Sequence, residues 1–374
     1  MYAKFMRKQY ENLKSRLDEA ILRTAASGNY LDADRVLEFE EELAKYIDIK
    51  NVIACDSAAD AMELVLLSYG IGDGDAVFIS CLGSPAMADA VKAVGATPVF
   101  VDVDVKNGSL DLHNLEVQIQ RVMTDTPLSP KIVVSTDCFG IPADYLAVNE
   151  IIRTYGLLLL VDVARSLGGS YRGLKCGCFG HASITSFAPG SPLACMGNGG
   201  AVLTDFNDLA GLVHACRQNG KINGKIEMFG MDSTLDVMQS EILRVKLQHL
   251  DEELALSAQA ATVYDEALKE HFALPNVPEG AVPSYSDYVI LAEDAEQAEK
   301  IKDALKAEGL YEEQDEWVAL NTVLAFYDER YEQTEEKFAG TEELLQKAVR
   351  LPISPYIDKA EQDKVIAVIK GCLD

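Results

Sequence analysis

Apolar residues along the chain follow two periods. Short continuous runs, "NVIAC" (51–55), "DAVFIS" (75–80), "TPVFVDV" (97–103), "KIVVSTD" (131–137) and "LLLLVDV" (157–163), read as strands buried on both faces. Between them, amphipathic stretches of helical length cover 57–69, 85–94, 111–122 and 143–155. Such alternation predicts a mostly parallel sheet with helices on both sides and right-handed crossovers. Further along, 235–272 predicts one long helix leading into a smaller C-terminal unit. That unit carries weaker strand patterns in "DYVILAE" and "AVRLPISP" and helices near 295–308, 341–348 and 359–372. The periodicity alone predicts an α/β fold with a second domain; the division expected is a large α/β domain over 1–249 and a small α+β domain over 250–374, with the N-terminal helix packing on the small one.

Composition narrows the function classes. The 374 residues are 48% hydrophobic, yet no apolar run approaches the 18 or more residues of a spanning helix, and the first thirty lack a signal-peptide core. A soluble, cytoplasmic protein without a membrane partner is expected. Eight scattered cysteines suit reduced thiols better than a disulfide framework. The grouping Cys176, Cys178 and His181 lacks paired metal-ligand spacing, so no metal is expected. A formal charge of −27 would repel a nucleic-acid backbone. A small anion remains possible where cations cluster, and "HACRQNGKINGK" (214–225) offers Arg217, Lys221 and Lys225, with a solvated loop as the plainer reading. The acidic run "EEQDEW" (312–317) reads as solvated surface.

In an open α/β sheet the ligand crevice lies beyond the carboxyl ends of the strands. Asp162 closes "LLLLVD", Asp56 and Ser57 precede a helix after "NVIAC", and Ser186 ends "ASITS"; each could equally be a cap or turn residue. Together with "VLEFEEELAKYIDIKNVIACDSAADAMEL", "GATPVFVDVD", "VDVARSLGGSYRGLKCGCFGHASITSF", "GNGGAVLTD" and "LPISPYIDKAEQDKVIAVI", their order resembles the DegT/StrS family of sugar aminotransferases. These are pyridoxal phosphate (PLP) enzymes with the aspartate aminotransferase-like fold.

The resemblance implies a three-layer, mostly parallel seven-stranded sheet, a homodimer with shared active sites, and transfer of an amino group to a keto-sugar nucleotide. It assigns Asp162 to the pyridine nitrogen and Ser186 to the cofactor phosphate. Elsewhere the positions depart from the pattern. The helix-start motif Ser-Gly-Thr reads Ser57, Ala58, Ala59; Ser84 stands for a stacking aromatic; Arg165 stands for glutamine or histidine; Asp232 stands for an asparagine that reaches the partner's phosphate. Lys221 and Lys225 fall in a segment that resembles the substrate or partner-subunit loop. In "SFAPGSPL", Ser191 stands where the Schiff-base lysine is expected, and no lysine occurs between Lys175 and Lys221.

The threonine and asparagine losses would weaken phosphate holding by roughly 3–6 kcal/mol. A carboxylate at 232 about 4 Å from the phosphate would add about 4 kcal/mol of repulsion at an effective dielectric of 20. A serine cannot condense with an aldehyde. Arg165 can pair with a ligand anion or with Asp162. The expected function is a degenerate family member, a non-catalytic or sugar-binding homologue in which PLP binds, if at all, without a lysine. The alternative is an aminotransferase or dehydratase holding PLP or its pyridoxamine form non-covalently.

Overall fold

In the computed structural model, residues 2–311, 317–333 and 336–373 are described; most of "EEQDEW" lies outside them. The main sheet comprises β1 (Asn51–Cys55), β2 (Asp75–Ser80), β3 (Thr97–Val101), β4 (Ser129–Thr136), β5 (Leu158–Asp162), β6 (Ala182–Ser186) and β7 (Gly200–Thr204). Their spatial order is β1-β7-β6-β5-β4-β2-β3. The neighbours from β6 to β3 run parallel, and β7 is antiparallel to both β6 and β1. Pro98, which cannot donate to a ladder on both sides, sits in the edge strand β3.

Successive side chains of a strand point to opposite faces, and the two cores follow from that period. On β2, Ala76 and Phe78 enter one core while Val77 and Ile79 enter the other; on β5, Leu159 and Val161 separate in the same way from Leu160. The first core is closed by α2 (Ala33–Ile47), α5 (Leu112–Asp125) and α6 (Tyr145–Tyr155), the second by α3 (Ala58–Ser68), α4 (Pro85–Ala93) and α7 (Asn207–Arg217). Each fully buried Leu, Ile or Phe contributes about 1.5–3 kcal/mol, so double coverage of the sheet is the main stabilising feature.

The single helix expected over 235–272 is two, α8 (Val237–Leu247) and α9 (Leu250–Leu268). Leu247 and Leu250 are both buried, and the turn between them tightens through a bond from the His249 N–H to the Lys246 carbonyl at 2.9 Å. No Pro or Gly marks that break, so periodicity passes over it. Beyond it, β8 (Tyr288–Leu291) pairs antiparallel with β9 (Ala348–Leu351). Together with α9, α10 (Ala295–Ala307) and α12 (Lys359–Lys370) these strands enclose a separate core that includes Tyr264, Ile290, Ile301 and Val365. α11 (Ala339–Lys347) leads into β9.

The N-terminal helix α1 (Tyr2–Ser27) spans both regions. Leu13 and Leu17 pack on Ile242, Gln9 Nε2 donates to both carboxylate oxygens of Glu253, and Lys4 pairs with Glu361 at 2.8 Å. No helix among the described residues is long and apolar enough to cross a membrane.

Candidate functional site

The carboxyl ends of β5 and β6 and the start of α3 meet at one cleft of about 350 Å³. Ser57, Ala58 and Ala59 line it from the helix start. Ser84 contributes from the turn before α4, Asp162 and Arg165 from the end of β5, and Ser186 and Ser191 from the end of β6 and its following turn. Eight of the expected positions are thus brought together. The close approach of β7 to α3 depends on Gly200, where a Cβ would lie 2.4 Å from the Ser57 carbonyl.

Local hydrogen bonds explain how these side chains are held. Ser57 caps α3, its Oγ accepting from the Asp60 N–H at 3.0 Å and donating to Asp60 Oδ1 at 2.7 Å. Asp60 Oδ2 in turn accepts from Ser233 Oγ at 2.6 Å. Ser84 caps α4, with Pro85 at the first helical position. Ser186 Oγ accepts from the Ala188 N–H at 3.1 Å, and the Ser191 N–H closes the next turn on the Ala188 carbonyl at 3.1 Å.

Asp162 Oδ1 accepts from the Ala164 N–H at 3.0 Å. Burial pushes its carboxyl above the ordinary value, against the Ala164 N–H and the Arg165 charge, which pull it back. Directly behind it, the N–H of Asp137 donates to the Asp162 carbonyl. Asp137 is fully buried and pushed up to about 7 by desolvation, although Ser166, Tyr145 and the Ala143 N–H all donate to it.

Arg165 is tied to several neighbours within the chain. Its Nη1 donates to the Gly190 carbonyl at 2.9 Å, and its Nε lies 3.6 Å from Asp287. Its own carbonyl accepts from Ser284 Oγ at 2.5 Å and Ser286 Oγ at 2.7 Å.

Other expected residues lie elsewhere. Lys221 and Lys225 sit on an exposed two-stranded hairpin, and Asp232 is exposed and bridged to Gln218; none lines the cleft. Arg217 is no part of a ligand patch: it is buried, donating to Glu40 and to the Ala54 carbonyl, because the end of α7 packs onto β1 and α2. Nδ1 of His181 accepts from the Leu159 N–H at 3.0 Å, so this ring ties β5 to the turn before β6. Asp56 is pushed up by burial and by Asp60, Asp236 and Asp232, which gives the helix start an acidic surround.

Sequence reasoning missed residues that the C-terminal unit and one helix bring in. Trp317 and Arg350 line the cleft, Arg350 from β9, with Phe139 beside them. The pattern "AVRLPISP" marks a strand but gives no sign of where Arg350 points. Lys246 on α8 is buried, donates to the Ala194 carbonyl at 2.7 Å, and is pushed down to about 8 by burial. It does not line the cleft.

The sequence model of the DegT/DnrJ/EryC1/StrS aminotransferase family matches residues 11–370. The chain belongs to this family. One relative, a UDP-2-acetamido-2-deoxy-3-oxo-D-glucuronate aminotransferase of Pseudomonas aeruginosa, is 30% identical over 366 residues, 97% of this chain and 98% of that one. A crystal structure of a family aminotransferase from Brucella abortus superposes with a TM-score of 0.90 at 34% identity, covering 97% of each chain. That of S. venezuelae DesV in complex with a ketimine intermediate superposes with a TM-score of 0.88 at 29% identity, covering 98% of this chain and 96% of that one. The family fold accounts for the cleft at the strand ends. PLP is the cofactor that the family supports. Against that frame, the charged side chains among the described lining residues are Asp162, Arg165 and Arg350, and position 191 carries a hydroxyl.

Proposed function

We propose that this chain binds a nucleotide-sugar-class ligand in the family's cleft and has no conventional transamination. The carrying observation is Ser191 on the lining it shares with Asp162, where the described charged side chains include no lysine. The residues fit a phosphorylated pyridine held without a covalent bond. In this reading Asp162 would hold the ring nitrogen, and Ser186 with the first N–H groups of α3 would hold the phosphate; their shared lining of the cleft supports it. PLP, when bound, supplies an electron sink for bonds next to an amine. Weak phosphate holding is in keeping with Ala59, with Ser84 engaged as a helix cap, and with the carboxylates of Asp56 and Asp60 around the helix start.

A second reading, an enzyme that holds PLP or its pyridoxamine form non-covalently, is favoured by the retention of Asp162 and Ser186 on the same lining. In either reading a homodimer is proposed, since Lys221, Lys225 and Asp232 stand outside this chain's own cleft and can serve a cleft only across a subunit boundary.

The test is incubation of purified protein with PLP, borohydride treatment, and peptide mass spectrometry. The expected result is no lysine carrying a reduced pyridoxyl group. Trapping on any lysine, with Lys246 the first to inspect because its amine is pushed down to about 8, would reject the proposal.

A further inference from the structure

Phe139 lines two cavities, the cleft and a second one of about 140 Å³ walled also by α9, the segment after it and β8. Far below the roughly 300–1,000 Å³ of a pocket for a drug-sized ligand, the second has room only for a small molecule. Its lining is rich in rings, Phe139, Tyr285 and Tyr288 with Pro275 and Pro283, and two carboxylates interrupt it, Asp265 and Asp287. Their charges are met differently. Asp287 is buried and pairs with Arg165 at 3.6 Å and Arg350 at 3.7 Å, yet its Oδ2 accepts no hydrogen bond. Asp265 Oδ1 accepts from the Tyr288 hydroxyl at 2.6 Å, and among the described residues no cation pairs with it. Burial and the Asp265 charge push the Tyr285 and Tyr288 hydroxyls up, so both rings stay neutral beside that carboxylate. The backbone is strained at the same place. Phe139 holds φ +59° and Tyr285 φ +53°, a left-handed region that asparagine and aspartate tolerate and bulky rings do not. Such strain collects at ligand clamps, and both of these aromatic residues line the one cavity.

We propose that this second cavity binds a small primary ammonium ion, its N–H groups toward Asp265 and Asp287 and its alkyl stem against the rings. A carboxylate without a cation and an acceptor without a donor together call for a positive group that carries N–H bonds. Aromatic walls attract an organic cation, whereas a metal ion needs about six oxygen ligands, more than two carboxylates supply. Asp287 is committed to Arg165 and Arg350, so Asp265 is the charge that selects the ligand. The net charge of −27 concentrates cations around the chain. The site is independent of what stands at position 191.

The experiment is calorimetric titration of the full chain at fixed ionic strength with n-butylammonium, with 1-butanol, its neutral counterpart, and with tetramethylammonium, which has the charge but no N–H. The fluorescence of Trp317, the chain's single tryptophan, is the second readout, because its ring centre lies 4.9 Å from that of Phe139 on the cavity lining. n-Butylammonium is expected to bind about tenfold to a hundredfold more tightly than 1-butanol, the range that a charge-assisted hydrogen bond supplies, and to shift the Trp317 emission. Tetramethylammonium should bind more weakly than n-butylammonium. Asp265→Asn still accepts from Tyr288 and is expected to erase the preference over 1-butanol. Asp265→Glu, which keeps the charge and so guards against a folding defect, is expected to retain part of it. No binding of n-butylammonium, equal binding of 1-butanol or tetramethylammonium, or a preference that survives Asp265→Asn overturns the proposal. Binding heat without any change in Trp317 emission places the ligand elsewhere and overturns it as well.

Discussion

Introducing an amine is the sharpest perturbation of the cleft. Ser191→Lys places a primary amine on the lining shared with Asp162. How much of it is neutral follows from its surroundings. Lys246, buried behind the same loop, is pushed down to about 8 from an ordinary 10.5. Position 191 is only half-buried, which lowers an amine less, while the Arg165 guanidinium bonded to Gly190 adds repulsion in the same direction. At pH 8 the neutral fraction therefore lies between roughly 0.3% and roughly one half, enough to be captured by PLP over minutes to hours. Affinity should stay weak, because Ala59 still lacks the hydroxyl worth roughly 1.5–3 kcal/mol toward a charged group. Adding Ala59→Thr should tighten binding by roughly tenfold or more. The assay is borohydride fixation of PLP read by intact mass, with the midpoint of a PLP titration as the affinity. A folded Ser191→Lys protein that fixes no pyridoxyl group, or a wild-type protein that fixes as much, would refute the reasoning.

Three further outcomes follow from the fold around the cleft. Arg217→Met leaves Glu40 buried without its cation between α2, β1 and α7, and urea unfolding should show a loss of about 3–5 kcal/mol, partly recovered in the Glu40→Gln, Arg217→Met double variant. Asp137 is raised in the folded state from 3.8 to about 7, so its contribution is fully present below the lower value and is lost as pH rises through the upper one. Across that window stability should fall by up to about 4 kcal/mol, and Asp137→Asn should flatten the profile measured by thermal melting. Gly200→Ala drives a Cβ to 2.4 Å from the Ser57 carbonyl; a loss of about 1–3 kcal/mol is expected in unfolding, together with weaker ligand binding at the displaced start of α3.

Much of the fold was legible because continuous apolar runs bounded by turn residues have few alternatives. "NVIAC" and "DAVFIS" became strands over those same residues, and the helices after them start within a residue or two of Ser57, Pro85 and Asp111. The site was legible in part for a related reason: strand ends fix where Asp162 and Ser186 must emerge. What stayed hidden depends on contacts distant in sequence. Nothing local to Arg217 distinguishes a buried partner of Glu40 from a surface cation, since the decision is made by α7 folding onto β1. Arg350, Trp317 and Asp287 come from the C-terminal unit, whose placement over the cleft no periodicity encodes. The break between α8 and α9 likewise has no Pro or Gly to announce it.

The distribution of local strain bears on the proposed function. Sequences usually break local rules where a site demands it and obey them elsewhere. Ser84, on the cleft lining, obeys them: it is an N-cap followed by proline, and its hydroxyl is engaged with its own helix. Phe139 breaks them, holding a positive φ on the cleft lining where its ring supports Trp317 and, through it, Arg350. Strain of this kind costs about 1–3 kcal/mol and persists only where the surroundings over-determine it. The broken local rule on the cleft lining therefore lies at Phe139, beneath Trp317, and not at Ser84. Replacing Phe139 by glycine tests this: relief of the left-handed backbone should offset part of the lost packing, so urea unfolding should show a loss smaller than the about 3–5 kcal/mol of an ordinary buried Phe truncation. A loss of that full size in a folded Phe139→Gly protein would show that the backbone at 139 stores no strain.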